Sequence, residues 1–294
     1  MRVTITGASG LIGTQLVERL RARGDDVTTL SRNPASPSAV RWLPEQEPAP
    51  AAALSGRDAV VHLAGENVSQ RWSDDAKRRI LSSRELGTRN LVAGIEAADP
   101  RPQVLVSASA VGYYGPHGDE RLDEQTPPGE GLLAEVCVVW EREAQQAADL
   151  GLRVVNLRTG VPLDAGGGAL AKMLPFFKLG IAGPVAGGRQ YIPWIHADDV
   201  VGLYLAALDG EDWTGPVNAT APEPVTNRTF SKALGRALHR PAIAPVPGLA
   251  VRTLYGKMAE IVTQSQRVIP RRAQEHGYAF AHPDLDEALR SALS

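Results

Sequence analysis

The first fourteen residues constrain this chain more than any other stretch. Met1-Arg-Val-Thr-Ile-Thr-Gly-Ala-Ser-Gly-Leu-Ile-Gly-Thr14 runs a short apolar strand into a turn with glycines at three-residue spacing, and from there into a helix. Gly7 lets the chain turn tightly, Gly10 lets an anionic group approach the backbone, and Gly13 lets the helix pack on the strand. The amides that open the helix, helped by its dipole, then face a phosphate. Glycines at this spacing are weak evidence alone; their place after a strand and before a helix makes them a dinucleotide site. Gly7, Ser9, Gly10, Leu11, Ile12 and Gly13 are the contacts expected there.

A chain of 294 residues buries a substantial core and accommodates one large α/β domain, or one domain with an added lobe. Its 31 basic and 33 acidic residues are mixed along the sequence for a net charge of -2, so nothing draws it generally to nucleic acid or membrane. Any preference for anions is local. Cys137 is the only cysteine, which excludes an internal disulfide and suits a reducing cytoplasm. No apolar run approaches the roughly 20 residues that span a bilayer, and residues 1 to 6 read as a core strand rather than a signal sequence. A soluble, cytoplasmic protein is expected.

Strands and helices alternate through the first 160 residues. After the opening strand, Ile12, Leu16, Val17 and Leu20 keep helical spacing and Gly24 ends the helix. Val27 to Leu30 follow as a strand, and Asn33 to Ser55 as an irregular connection with one short strand near Val40 to Leu43. The run from Asp58 to Gly65 has the pattern of a strand buried on both faces. Asp74 to Ala97 read as one long amphipathic helix, or two joined near Gly87. Gln103 to Ser107 form a strand that ends in the polar, aromatic segment Ser109 to Gly115. An acidic loop, a helix over about 132 to 150 and a strand over 153 to 158 follow. Such alternation specifies a parallel, doubly wound sheet with its functional loops along one edge. Beyond Thr159, Gly166-Gly-Gly168 and the apolar stretch Leu170 to Leu179 look like an insertion that caps a pocket, and residues after Thr226 are mainly helical.

About 20 residues beyond the glycines, an acid would bind an adenosine ribose, whereas an Arg would neutralise a 2′-phosphate. The sequence there is Leu30-Ser31-Arg32, with Asp25 and Asp26 at the wrong end of their strand, which favours NADP over NAD.

With these features the chain resembles the extended short-chain dehydrogenase/reductase superfamily. The resemblance rests on Gly7-x-x-Gly10-x-x-Gly13, the Asp58 strand ending His62-Leu-Ala-Gly65, Gly87-Thr88 with Asn90, the Ser107 to Gly115 segment, and Trp194-Ile-His-Ala-Asp-Asp199. More narrowly it resembles the bacterial YfcH-like epimerase family, through Leu63-Ala-Gly-Glu-Asn67, Trp140-Glu141, Pro193-Trp-Ile-His196, Ser265-Gln-Arg-Val-Ile-Pro270 and His282-Pro-Asp-Leu285. This resemblance implies a Rossmann domain, bound NADP(H) and a smaller C-terminal lobe over the active site. It implies that Asp58 bonds the adenine amine and that Leu63, Ala64 and Gly65 line the adenosine and pyrophosphate. Arg84 stands where many relatives carry Asn, and it meets a cofactor phosphate or is an exposed helix charge.

The usual catalytic pair of the superfamily, Tyr-x-x-x-Lys, is missing. At the corresponding spacing the helix offers Cys137 and Glu141, and a carboxylate raises rather than lowers the pKa of a neighbouring acid. Ser109 falls where relatives place the serine that polarises a substrate carbonyl, and Tyr113 or Tyr114 can hold the substrate or supply a proton. Arg158 and Asn218 end late strands within reach of a substrate. His196, Asp198 and Asp199 are not a recognisable metal spacing, so no metal is expected and an aspartate there is read as a helix cap.

The expected architecture is therefore an α/β Rossmann domain, residues 1–165 and 190–225, with a substrate-capping lobe, residues 166–189 and 226–294. The expected activity is that of an NADP(H)-dependent oxidoreductase or epimerase on a small polar, sugar-like substrate. A non-enzymatic NADP(H)-binding sensor that has lost its Tyr/Lys pair is the alternative.

Overall fold

Strand β1, Arg2–Thr6, runs through the middle of the molecule, and Val3, Thr4, Ile5 and Thr6 are all fully buried. A strand sealed on both faces needs a helical layer on each side, the arrangement of parallel sheets. The computed structural model describes residues 1–34 and 37–294, with the backbone alone at residues 250, 254, 255, 257 and 258. Ala35 and Ser36 of the irregular connection lie outside the described residues. The other strands of the sheet are β2 (Asp26–Ser31), β3 (Ala39–Arg41), β4 (Ala59–His62), β5 (Val104–Ala110), β6 (Arg153–Thr159) and β7 (Gly215–Ala219). All pair in parallel, in the order β7-β6-β5-β4-β1-β2-β3. The order reverses between β1 and β4, which opens a crevice beyond their carboxyl ends. This is the Rossmann-type sheet.

Helices α1 (Leu11–Ala22) and α5 (Ala197–Asp209) cover one face, where Leu16, Leu20, Leu203 and Tyr204 pack against Val3 and Ile5. Helices α2 (Asp74–Glu96) and α3 (Leu132–Asp149) cover the other, where Leu91, Ile95, Ala144 and Ala147 meet Val60, Leu105 and Val154. Helix α2 passes through Gly87 without a break, because Gly87 is buried in its packed face and Ser73 caps the helix through the Ala76 amide.

A separate core cluster lies away from the seven-stranded sheet. Leu170, Leu174 and Phe177 of α4 (Gly168–Lys178) pack with Phe230 and Leu234 of α6 (Asn227–Ala237), with Trp194, and with Leu285 and Leu289 of the last helix, Leu285–Leu293. Residues 191–196 form two short strands split at Pro193: Tyr191–Ile192 pairs with Val225–Thr226, and Trp194–His196 pairs with Val161–Leu163. The acidic loop is tied to the C-terminal segment by pairing of Arg121–Leu122 with Arg267–Val268. Among the described residues no helix is long and apolar enough to cross a membrane.

Candidate functional site

A cavity of about 530 Å³ occupies the crevice at the carboxyl edge of β1, β2 and β4. Gly7, Ser9, Gly10, Ser31, Arg32, Leu63, Ala64 and Gly65 line it, as do Thr14, Val17, Glu18, Arg21, Trp42 and Glu45. Its floor is the glycine turn. Gly7 has φ +72°, and a Cβ there would lie 2.6 Å from the Leu63 carbonyl carbon, so neither the conformation nor the space admits a side chain. A Cβ on Gly13 would lie 2.3 Å from the Gly7 oxygen, so helix and turn touch backbone to backbone. Gly13, Leu11 and Ile12 stand behind the cavity wall: Ile12 packs on the core, and Leu11 meets Gly167 and Gly168. No side chain caps α1 at Gly10, which leaves its first amides to a ligand.

The wall opposite the turn is held by a buried histidine. His62 Nδ1 lies 2.7 Å from the Thr6 hydroxyl and its Nε2 lies 3.0 Å from the Thr88 hydroxyl. Thr6 Oγ1 accepts from the amides of Leu63 and Ala64, so it donates to Nδ1, and the ring proton resides on Nε2. Burial first, and then the nearby charge of Arg84, push the His62 pKa down to about 3, so the ring stays neutral.

Two expected cofactor contacts are corrected. Asp58 precedes β4 and lies beside Arg2, accepting its amide at 2.6 Å and its guanidinium at 3.0 Å. That is the amino edge of the sheet, the full length of β1 away from Gly7, and the same reasoning that disqualified Asp25 and Asp26 applies to it. Arg84 is neither exposed nor in the cavity. It is 8% exposed, donates to the carbonyls of Glu66 and Ile80, and lies over the Trp140 ring at 4.7 Å. Its guanidinium backs directly on Gly65, where a Cβ would come within 3.1 Å. Burial lowers its pKa, yet it remains a cation set just behind the cavity wall.

The segment expected to carry chemistry forms a closed hydrogen-bonded network. Ser109, 3% exposed, donates to Glu141 Oε1 at 2.6 Å. Arg158, at the end of β6, grips the same carboxylate with Nε and Nη2, both at 2.8 Å. Burial works against the Arg158 charge, but the Glu141 carboxylate outweighs it and raises the Arg158 pKa. The carboxylate at the missing lysine's place is thus neutralised by a strand residue. Tyr114 is fully buried, donates to Asn218 Oδ1 at 2.7 Å and accepts from Arg158 at 3.1 Å. Burial raises its pKa, so its expected catalytic role is withdrawn: a phenol sealed in the core and bonded on both sides neither meets substrate nor gives up a proton. Arg158 and Asn218 are likewise occupied inside the protein. Tyr113 is half-buried, with the Arg158 guanidinium 3.4 Å above its ring. Cys137 is a buried thiol whose pKa is pushed up to about 11, by burial and then by Glu141.

Comparison with known proteins fits this geometry. The model of the NAD dependent epimerase/dehydratase family matches residues 3–218, and a domain of unknown function (DUF1731) matches residues 246–292. The chain belongs to the NAD dependent epimerase/dehydratase family. An Arabidopsis thaliana relative, described as a chloroplastic homolog of epimerase family protein SDR39U1, is 40% identical over 100% of this chain and 87% of its own. The crystal structure of human epimerase family protein SDR39U1 (isoform2) with NADPH superposes with a TM-score of 0.92, at 36% identity and with 100% of both chains covered. A structure described as the nucleoside-diphosphate sugar epimerase from Corynebacterium glutamicum has a TM-score of 0.83 at 33% identity; it covers 100% of this chain, which spans 58% of that one.

For a member of this epimerase/dehydratase family, the sequence reading missed two features. Arg21 lines the cavity at the Arg32 end; its signal was the spacing of Thr14, Val17, Glu18 and Arg21, one face of α1 turned to that loop. The same face brings Glu18 into the wall, and the connection adds Glu45, so acids are present there although none ends β2. Glu141 was noticed as a carboxylate that raises the pKa of a neighbouring acid, as it does for Cys137, but only the folded sheet shows that Arg158 answers its charge.

Proposed function

We propose that this family member is an NADP(H)-dependent oxidoreductase or epimerase acting on a small, polar, sugar-like substrate. Residues 1–165 and 190–225 would hold the cofactor, and residues 166–189 and 226–294 would cap the substrate. The observation that carries this reading is the cavity itself. A turn that admits no Cβ at Gly7 or Gly13 and an uncapped helix start suit a pyrophosphate, while Arg21 and Arg32 supply cations at the far end for a 2′-phosphate. The cation of Arg84 behind Gly65 adds attraction for anions through the wall. The NADPH of the human structure and the description of the Corynebacterium relative support cofactor and substrate class.

NADP(H), when bound, supplies or takes up a hydride. The chain's own residues handle the rest. The single proton of Ser109 is committed to Glu141, so Ser109 orients the carboxylate rather than polarising a carbonyl. Glu141 Oε1 accepts from two donors and Oε2 from Arg158 alone, which leaves a lone pair on Oε2, and the side chain is 13% exposed. Oε2 is the acceptor for a substrate hydroxyl, receiving its proton as the alcohol is oxidised. Arg158 holds the carboxylate in place through two contacts, and half-buried Tyr113 holds the substrate beside it.

The test is turnover. Purified protein with NADP⁺ and a panel of sugars and nucleoside-diphosphate sugars, or with NADPH and their oxidised forms, should show a change in nicotinamide absorbance. Glu141→Gln should lower kcat by about 10²–10⁴ with cofactor affinity unchanged. Tight cofactor binding without turnover on any of these compounds would sink the enzymatic reading.

A further inference from the structure

A second cluster of titratable side chains lies where α5 begins, away from the Ser109 network. A cavity of about 650 Å³ on the outer side of α1 is bordered by Glu18, Asp164, His196 and Asp198. The chain brings His282 to this place from far downstream, and its ring lies over that of His196 with centroids 3.8 Å apart and planes tilted by 35°. His282 Nε2 is 3.5 Å from Asp198 Oδ2, and His196 Nδ1 is 3.8 Å from the same oxygen. One ligand atom from each of the three residues falls within 4.8 Å of the others.

The surroundings hold these groups in position. The buried carboxylate of Asp199 accepts the backbone amides of Ala281 at 2.7 Å and His282 at 2.9 Å, which pins the His282 backbone beside α5. Both oxygens of Glu287 lie 3.1 Å from His282 Nδ1 and turn its Nε2 toward Asp198. A carboxylate on the far nitrogen is the usual outer partner of a metal-binding histidine. His196, not Asp198 or Asp199, caps α5: its Nδ1 accepts the Asp198 amide at 3.1 Å. The lone pair is therefore on Nδ1 and the proton on Nε2, a buried atom with no hydrogen-bond partner.

We propose that His196 Nδ1, Asp198 Oδ2 and His282 Nε2 form a site for a divalent transition cation of the zinc type, which staples the start of α5 to the C-terminal segment. Two imidazoles and one carboxylate suit zinc, with water from the cavity as the fourth ligand. Ligands about 2.0–2.2 Å from a tetrahedral ion lie roughly 3.4 Å from one another. The separations of 3.5 and 3.8 Å are close to that spacing, and loading draws in the third. His196 gives up its bond to the Asp198 amide and keeps its tautomer. Arg19 lies 3.8 Å from the other oxygen, Oδ1, and leaves Oδ2 open. The ion's role is structural, since its ligands join helix α5 to the segment before the last helix and none belongs to the Ser109 network.

The test uses the full chain freed of metal, titrated with zinc sulfate and cobalt chloride by calorimetry and visible absorption, with thermal unfolding measured with and without zinc. One ion per chain is expected, with micromolar or tighter affinity, a tetrahedral cobalt spectrum, and a melting temperature that rises with zinc. His282→Ala and Asp198→Asn should each abolish the zinc-dependent rise, whatever their metal-free stability, and Glu287→Gln should weaken binding by about 10–100-fold. NADPH affinity should be the same in all of them. Absence of saturable binding, or equal binding by wild type and both ligand variants, overturns the proposal.

Discussion

The buried pair of Glu141 and Arg158 yields a prediction of definite size. Glu141→Gln keeps the shape and leaves an acceptor for Ser109, but it strands the Arg158 guanidinium, whose side chain is only 3% exposed. Breaking a buried pair from one side costs about 3–5 kcal/mol, because the remaining charge has lost both water and its partner. The Tyr114 hydroxyl and the Tyr113 ring still touch Arg158, but neither carries a counter-charge. Arg158→Met should cost a similar amount by stranding the carboxylate. The double variant removes both charges, so it should lose less than the two singles together, by about 2–3 kcal/mol, near the upper end of coupling between contacting residues. Urea unfolding of the four proteins, followed by tryptophan fluorescence and analysed at a common m-value, measures this. A loss under about 1 kcal/mol in Glu141→Gln, or strictly additive losses in the double variant, would refute the view that Glu141 and Arg158 form a buried, mutually dependent ion pair.

Two further outcomes follow from the cavity walls. The His62 pKa is held at about 3, against 6.5 in the unfolded chain, so the folded state refuses a proton that the unfolded state binds. Its contribution is complete above pH 6.5 and drains as the pH falls toward 3, by roughly 4–5 kcal/mol in all; His62→Gln should flatten that decline in the urea midpoint, and a parallel decline would be a contradiction. Gly13→Ala puts a Cβ 2.3 Å from the Gly7 oxygen and should cost about 1–3 kcal/mol or more, whereas Gly10→Ala meets only that oxygen at 3.3 Å. The Gly10 variant should therefore keep its stability but bind NADPH at least about tenfold more weakly; undiminished binding would mean that the phosphate does not approach the backbone there.

The sheet was legible because its strands are short apolar runs separated by amphipathic helices, a pattern set by burial that needs no long-range information. The places of the glycine turn and of Ser31-Arg32 were legible for the same reason, since each lies where a strand ends, and both line the cavity. What failed depended on position across the sheet. Asp58 was read as a cofactor contact from motif order, although a residue that opens a strand lies at the opposite edge from one that ends it. Tyr114 could not be told from Tyr113 in sequence, because the half-turn that buries one and half-exposes the other is set by Arg158 and Asn218 on distant strands. Arg84 looked like an exposed helix charge or a phosphate ligand; Trp140 and two carbonyls claimed it instead. The His196 and His282 cluster was invisible because its parts meet only when the last segment folds back on α5.

NADPH should occupy the glycine-lined cavity with its 2′-phosphate at Arg32 and Arg21. The most direct measurement is a binding titration of NADPH and NADH with the wild-type chain and Arg32→Asp. Wild type should bind NADPH at micromolar concentration and NADH at least about tenfold more weakly, and Arg32→Asp should lose about 10–100-fold for NADPH alone, as expected for one charge-assisted contact. Equal losses for both nucleotides, or a wild-type preference for NADH, would contradict it.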